Sequence, residues 1–312
     1  MNVPSSGYDK DLFILPFDHR SSFEAGLLDI RGRQAEPQEV EQLAGYKRVI
    51  YEGFLEALEN GVPADTAAIL VDQKYGEDVL ADANTRGITT CTSVEKSGQP
   101  KFDFEYGDDF GRRLRDAAPN FAKALVRYNP EGDSGVNETQ KRRLKVLSDH
   151  AHSAGYKFMF ELLVPATEGQ LQSVEQDRGV YDRDVRPGLA MRAIRELQEA
   201  GVEPDVWKLE GVDDREAARG VVGQVQAGGR TRVGVIVLGR GEDEKRVQDW
   251  LTIGAQTEGV IGFAVGRTVF WQPLVAFKDG SISRAEAVSR IAGTYQRLYR
   301  LFVDTRSAAR AR

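Results

Sequence analysis

The sequence contains very little cysteine and histidine, and this scarcity limits the chemistry available to it. Cys91 is the single cysteine, so no disulfide can form within the chain, which is typical of proteins of a reducing cytoplasm. Of the three histidines, His150 and His152 lie two positions apart in a predicted helix and therefore point to different faces. A three-histidine zinc site would need all three side chains. We therefore expect no metal and no cofactor.

Long apolar runs and an excess of positive charge are also missing. No apolar run approaches the ~20 residues of a transmembrane helix, and residues 1–11 lack the apolar core of a signal peptide. The formal net charge of −6 disfavours general binding to nucleic acid or to a membrane surface. We expect a cytoplasmic protein that binds a small molecule, and a homo-oligomer is compatible with these numbers.

Short apolar runs alternate with helical patterns along the whole chain. Several runs are almost continuously apolar, which is typical of parallel strands buried on both faces. Eight such runs without a break in composition predict a single-domain (β/α)8 TIM barrel over residues 1–304, followed by a disordered tail at 305–312. The predicted strands are 12–17, 66–72, 87–92, 122–128, 157–164, 204–209, 232–238 and 259–265.

Charged residues stand at the ends of several predicted strands, where barrel enzymes hold their catalytic groups. Asp18 follows the first strand, Lys123 lies in the fourth, Glu161 in the fifth and Lys208 in the sixth. Alternation along the strands predicts that Lys123, Glu161 and Lys208 point into the barrel. A strand-end lysine beside a glutamate is more often a solvated ion pair. Four such groups on different strands nevertheless favour a catalytic site.

A lysine inside a barrel is suited to covalent catalysis on a carbonyl compound. The amine attacks only when it is unprotonated, although the ordinary pKa of lysine is ~10.4. Burial and a nearby second cation both lower the pKa of a lysine, and Lys123 would supply that cation. Glu161 would then move protons while the carbinolamine forms. The pattern therefore favours Lys208 as a nucleophile that forms a Schiff base.

Two Gly-Arg pairs follow the last two predicted strands. Gly239 and Arg240 lie in LGRGED (238–243), and Gly266 and Arg267 lie in VGRTVF (265–270), each just before a helix. Backbone N–H groups at a helix N-terminus bind phosphate, and arginine adds a bidentate contact. Alternatively, each glycine only marks the start of a helix and the arginine after it lies on the surface. The repetition of the pair favours a phosphate site, which barrels often build from these two loops.

Five motifs in order along the chain resemble those of the class I aldolases that include tagatose-1,6-bisphosphate aldolase. The resemblance is strongest to the 2-deoxy-5-keto-D-gluconate 6-phosphate aldolase domain of bacterial myo-inositol catabolism. It implies that Lys208 forms the Schiff base, that Glu161 and Lys123 are its catalytic partners, and that Asp18 binds substrate hydroxyls. The motifs are PFDHRSSF (16–23), LVDQKYG (70–76), LVRYNPEGD (125–133), FELLVP (160–165) and DVWKLEG (205–211).

The resemblance also implies a reaction, the cleavage of a phosphorylated keto sugar acid to dihydroxyacetone phosphate and malonate semialdehyde without a metal. We expect Asp72, at the end of the second strand, to contact substrate, and Arg20 and Arg127 to bind the anion at its distal end. That anion would equally be a phosphate or a sulfonate, so an aldolase for tagatose bisphosphate, fructose bisphosphate or sulfofructose phosphate is an alternative. A non-catalytic phosphosugar-binding regulator is an alternative of a different class.

Overall fold

Eight parallel β-strands form a closed barrel in the computed structural model of the protein, which describes residues 7–311. Each strand pairs with the next along the chain, and the last pairs with the first. All eight strands predicted from the sequence are present, and the (β/α)8 barrel is confirmed. The strands are β1 (Leu12–Pro16), β2 (Ala67–Val71), β3 (Thr89–Ser93), β4 (Phe121–Arg127), β5 (Lys157–Leu163), β6 (Val206–Glu210), β7 (Gly234–Leu238) and β8 (Val260–Ala264).

Helices connect the strands and cover the outside of the barrel. Several begin at an aspartate that accepts a backbone N–H bond, as Asp133, Asp214 and Asp243 do. The α-helices are α1 (Ser21–Leu28), α2 (Pro37–Glu59), α3 (Gln73–Thr85), α4 (Phe110–Ala117), α5 (Ser134–Ser153), α6 (Glu168–Ser173), α7 (Arg178–Val180), α8 (Arg186–Glu199), α9 (Arg215–Val225), α10 (Glu244–Ala255), α11 (Arg267–Lys278) and α12 (Arg284–Arg310).

The strands separate two hydrophobic cores. The larger core lies between strands and helices, where Trp207 of β6 packs on Phe160 of β5 with ring centroids 4.7 Å apart. The smaller core fills the barrel interior with side chains that include Met159 and Val206. Trp207 faces outward and Val206 inward, as the alternation along β6 predicts. Because this interior core is packed with apolar side chains, the barrel is not a pore. The charged groups lie above the core, at the carboxyl ends of the strands.

A buried aspartate closes the opposite, amino-terminal end of the barrel. Asp205, immediately before β6, is fully buried. Its carboxylate accepts hydrogen bonds from the backbone N–H groups of Gly7 (2.7 Å) and Phe158 (2.8 Å). It also contacts the side chains of His152 and Lys157, both at 3.0 Å. One carboxylate thus joins the amino-terminal segment to β5 and α5.

The prediction of a disordered tail from residue 305 is wrong, because α12 continues to Arg310. Alanine and arginine dominate this segment, and both are strong helix formers. Arg306 also attaches the helix to the barrel by pairing with Asp11 and donating to the carbonyl of Val260 at 3.2 Å. The domain therefore extends beyond the predicted boundary at 304, while residue 312 lies outside the described part of the chain.

Candidate active site

A cavity of about 440 Å³ opens at the carboxyl ends of the strands. The sequence predicted this end of the barrel as the site, and the residues it singled out meet there with the exception of Asp72. These predicted residues come from six strand ends and converge on a single space. The predicted residues that line it are Asp18, Arg20, Lys123, Arg127, Glu161, Lys208, Gly239, Arg240, Gly266 and Arg267.

A continuous chain of ion pairs crosses the floor of the cavity. Lys208 on β6 contacts Glu161 on β5 at 2.9 Å, and the other oxygen of Glu161 contacts Lys123 on β4, also at 2.9 Å. Lys123 in turn contacts Asp18, after β1, at 2.8 Å. The four side chains are at least nine-tenths buried. Buried charges are tolerated only when paired, and each of these has an opposite charge within contact distance.

Lys123 is surrounded by three carboxylates rather than acting as a free second cation. Burial opposes its charge, but Asp18, Glu161 and Glu95 outweigh burial and raise the pKa of Lys123 well above its ordinary value. Burial likewise opposes ionisation of Glu161, yet Lys123 and Lys208 bring the pKa of this carboxyl below its ordinary value. Lys123 therefore stays protonated, and Glu161 stays ionised, at neutral pH.

Glu95 is a member of the site that the sequence did not reveal. It lies two residues beyond β3, contacts Lys123 at 2.8 Å and Arg20 at 3.5 Å, and lines the cavity. Arg20 also pairs with Glu105 at 3.0 Å. The length of the connection between β3 and β4 is the one sequence feature that points to Glu95, because long loops after barrel strands usually build the active site. No strand pattern distinguished Glu95 from the other polar residues of that loop.

Asp72 does not belong to the cavity, which corrects the expectation that it contacts substrate. Its side chain is 1% exposed and forms an ion pair with Lys47 of α2. Its other oxygen accepts the backbone N–H of Tyr75 and caps the start of α3. Lys47 additionally donates to the carbonyl of Phe17 at 2.8 Å. Asp72 therefore joins β1, α2 and α3 behind the site.

The Gly-Arg pair after β8 forms a candidate anion site. Gly266 immediately precedes α11, and a Cβ added at Gly266 would lie 2.1 Å from the carbonyl oxygen of Pro16. Only glycine allows that approach of β1 to the start of the helix. Arg267, the first residue of α11, lines the cavity and donates to the carbonyl of Arg240 at 2.8 Å. The helix N-terminus and one guanidinium thus face the same space.

Arg240 has a different role from the one its sequence pattern predicted. Its guanidinium contacts three carboxylates, those of Asp182 (2.9 Å), Glu210 (3.0 Å) and Glu242 (3.3 Å). The backbone at Arg240 has a φ of +49° and its carbonyl accepts from Arg267. Since its charge is already compensated, the guanidinium mainly fixes the loop after β7 and, through its carbonyl, orients Arg267.

Two further side chains face the cavity. Arg127, at the end of β4, is exposed and donates to the carbonyl of Gln99 at 3.3 Å. His19 lines the cavity, and its buried Nδ1 has no hydrogen-bond partner among the described residues. Burial, with Arg267 and Lys208 nearby, lowers the pKa of His19 to about 4 although Asp18 opposes the shift. His19 is therefore neutral at physiological pH.

Clusters of metal-binding side chains and membrane-spanning helices are both absent from residues 7–311. No group of three or more histidine, cysteine, aspartate or glutamate side chains in this range is placed to hold a metal ion. No helix within the same range has the length and apolar character needed to cross a bilayer.

The fold and site together define a (β/α)8-barrel protein with a buried lysine-carboxylate chain at the carboxyl ends of its strands. The chain belongs to the family described as "Uncharacterized protein conserved in bacteria (DUF2090)", which matches residues 4–306. A comparison with curated proteins found no match.

Several solved structures share the fold at low sequence identity. A fructose-bisphosphate aldolase from Plasmodium falciparum, in complex with TRAP and a small-molecule inhibitor, is 10% identical with a TM-score of 0.66, covering 96% of this chain and 98% of that one. Cgl0159 from Corynebacterium glutamicum is 19% identical with a TM-score of 0.55, covering 96% and 88%. An archaeal fructose-1,6-bisphosphate aldolase, whose catalytic lysine is covalently bound to the carbinolamine intermediate, is 13% identical with a TM-score of 0.53, covering 89% and 94%. At these identities the likeness is one of fold.

Proposed function

We propose that the protein is a class I aldolase that cleaves a phosphorylated keto sugar through a Schiff base on Lys208. The observation that carries the proposal is the contact of Lys208 with Glu161 at 2.9 Å inside a cavity at the carboxyl end of the barrel. Similarity of fold to aldolases, one of them with a carbinolamine on its catalytic lysine, supports the same reaction class.

The side chains around Lys208 fit the steps of this reaction. The amine first gives up a proton, for which the contacting carboxylate of Glu161 is the nearest acceptor, and then adds to the ketone carbon of the substrate. Glu161 returns the proton to the carbinolamine hydroxyl, which leaves as water and produces the iminium. Lys123 holds a fixed positive charge beside these groups and keeps Glu161 and Asp18 ionised. Asp18 is then available to accept hydrogen bonds from substrate hydroxyls.

The cavity suits a substrate with an anion at each end. Arg267 lies after β8 and Arg127 ends β4, so the two arginines stand on opposite sides of an eight-stranded ring. We assign the phosphate to the start of α11 with Arg267, and the second anion to Arg127 and Arg20. The substrate proposed is 2-deoxy-5-keto-D-gluconate 6-phosphate, whose second anion is a carboxylate. Its cleavage would give dihydroxyacetone phosphate and malonate semialdehyde.

A panel of substrates in the presence of EDTA tests the proposal. The panel contains the keto sugar acid phosphate, tagatose and fructose bisphosphates, and sulfofructose phosphate, with release of dihydroxyacetone phosphate followed by a coupled reduction. We expect turnover of the keto sugar acid phosphate, and a lysine adduct when borohydride is added with substrate. If only another compound of the panel is cleaved, that compound replaces the keto sugar acid phosphate as the proposed substrate. Binding without turnover or adduct across the panel would instead indicate a regulatory protein.

A further inference from the structure

Glu95 lines the cavity and has one carboxylate oxygen without a hydrogen-bond partner among the described residues. Its Oε1 contacts Lys123 at 2.8 Å and Arg20 at 3.5 Å. Its Oε2 is buried and accepts no hydrogen bond within the part of the chain that the structure describes. The residue as a whole is 7% exposed and lines the cavity beside Lys123.

A buried carboxylate oxygen without a partner is an unusual arrangement. Leaving one unsatisfied costs about 1–3 kcal/mol, and more when the group is charged. Burial raises the pKa of the Glu95 carboxyl above its ordinary value, even though Lys123 and Arg20 act in the opposite direction. The free energy therefore favours a state in which Oε2 carries a proton or accepts a hydrogen bond from a ligand.

The neighbouring carboxylates are less suited to take the proton of a substrate hydroxyl. Glu161 uses one oxygen on Lys123 and the other on Lys208. Lys123 and Lys208 outweigh burial at Asp18 and hold the pKa of that carboxyl far below its ordinary value, which makes Asp18 a weak base. Glu95 shares Lys123 with both groups, yet its second oxygen has no partner among the described residues.

We propose that Glu95 is the catalytic base that takes the proton from the β-hydroxyl of the substrate when the carbon-carbon bond breaks. This inference rests on the proposed function, because it needs an iminium on Lys208. The β-hydroxyl lies two carbons beyond the iminium carbon. Lys123 links the two positions, since its ammonium contacts both Glu161, which lies beside Lys208, and Glu95.

The step balances within the enzyme and its substrate. Glu95 Oε2 takes the hydroxyl proton, and the O–H electron pair forms the carbonyl of the departing aldehyde. The bond between the α- and β-carbons breaks, and its electron pair moves into the iminium to give an enamine on Lys208. Protonation of the α-carbon and addition of water then release the ketone product and the free amine. The same carboxyl supplies its proton in the reverse, condensing direction.

Glu95→Gln tests the proposal because it keeps the size of the side chain and removes the base. Dihydroxyacetone phosphate has an α-carbon but no β-hydroxyl, so its iminium and enamine form without Glu95. We expect the variant to retain borohydride trapping of dihydroxyacetone phosphate on Lys208 and exchange of its α-hydrogen with deuterated water. Cleavage of the ketose phosphate should fall about 10²- to 10⁴-fold, the usual contribution of a general base.

Two further measurements separate catalysis from structure. Glu105→Gln removes the other carboxylate on Arg20, outside the cavity lining, and should keep cleavage within a few-fold of wild type. In the wild type, kcat/KM should decrease as the pH falls through the pKa of Glu95, and Glu95→Gln should lack this decrease.

The outcomes are distinct. Wild-type cleavage by Glu95→Gln would overturn the role of Glu95 and leave the aldolase proposal intact. Loss of trapping and exchange together with cleavage would also overturn it, because Glu95 would then support Lys123 or Lys208. Absence of trapping in the wild type would refute the aldolase proposal itself.

Discussion

Glu161 and Lys208 are paired in the register of β5 and β6, and their side chains meet at 2.9 Å. Side chains of directly opposed residues on adjacent strands point to the same face, so two alternating strand patterns suffice to bring these groups together. The pairing needs no loop and no helix. A carboxylate is thereby held beside the amine by the pairing of two adjacent barrel strands.

Glu161→Gln is expected to fold and to lose most of its turnover. The amide keeps the shape but cannot exchange a proton with the amine, so kcat should fall about 10²- to 10⁴-fold. Formation of the borohydride-trapped adduct should slow as well, which distinguishes this variant from Glu95→Gln. Steady-state kinetics and the rate of trapping measure the two effects. Wild-type trapping by Glu161→Gln would assign the proton transfer at the carbinolamine to another group.

Substitution of the arginine after β8 should mainly affect substrate binding, whereas substitution of the arginine after β7 should mainly affect stability. Arg267→Ala removes a charge-assisted phosphate contact worth about 1.5–3 kcal/mol, so KM should rise roughly 10- to 150-fold. Arg240→Ala leaves the buried carboxylates of Asp182 and Glu210 without this partner, and should lower the free energy of unfolding by about 1–3 kcal/mol.

Urea denaturation and the KM for phosphorylated substrate, measured on both variants, check this separation. The inorganic phosphate needed to inhibit the enzyme should increase with Arg267→Ala more than with Arg240→Ala. An unchanged KM in Arg267→Ala would place the phosphate elsewhere in the cavity.

Asp205→Asn should make stability less dependent on pH in the acid range. Burial opposes ionisation of Asp205, but hydrogen bonds from His152, Phe158, Gly7 and Lys157 lower the pKa of the carboxyl below its ordinary 3.8. A lowered folded-state pKa stabilises the fold fully above the unfolded pKa of ~4, and this stabilisation disappears as the pH falls through the folded pKa.

The wild type should therefore exceed Asp205→Asn in free energy of unfolding by about 3–5 kcal/mol at pH 7, the cost of breaking a buried ionic contact. The difference should shrink below pH ~4. Asp149→Asn, at an exposed pair with Lys145, is the matched control and should cost less than about 1 kcal/mol. A pH-independent difference would mean that packing, not charge, accounts for the effect of Asp205.

The strands and their inward residues were predictable because they depend on local pattern. Apolar runs located all eight strands, and alternation alone placed Glu161 and Lys208 inside the barrel. Prediction failed where a residue's partner lies far away in sequence. Asp72 looked like a free strand-end carboxylate because its partner Lys47 lies on a different element.

The same limit applies to the loops. Arg240 appeared available for phosphate, but Asp182 and Glu210 come from the α7–α8 connection and from β6. Glu95 reaches the cavity on a loop that folds back, so that Glu95 forms a β-bridge with Phe104. The sequence of this loop shows neither the alternation of a strand nor the periodicity of a helix, so its path was not predictable. The roles of polar loop residues depend on long-range ion pairs, which hydrophobic patterning does not encode.

Lys208 is the residue on which the proposed chemistry depends. Substrate with borohydride should convert its amine to a stable secondary amine, and the added mass should map to the peptide that carries Lys208. Lys208→Ala should lose both the adduct and turnover, since no other group provides the electron sink. Lys208→Arg should fail too, because a guanidinium stays protonated at neutral pH and is no nucleophile.

The variant series also tests the assignment against the second buried lysine. Lys123 is held by three carboxylates, and its raised pKa keeps it protonated, so it should carry no adduct in the wild type or in Lys208→Ala. Lys123→Met should leave Asp18, Glu95 and Glu161 without their shared cation and lower turnover strongly. An adduct on Lys123, with Lys208→Ala still active, would move the nucleophile from β6 to β4. Cleavage of a ketose phosphate with no adduct on any lysine would rule out the Schiff-base mechanism.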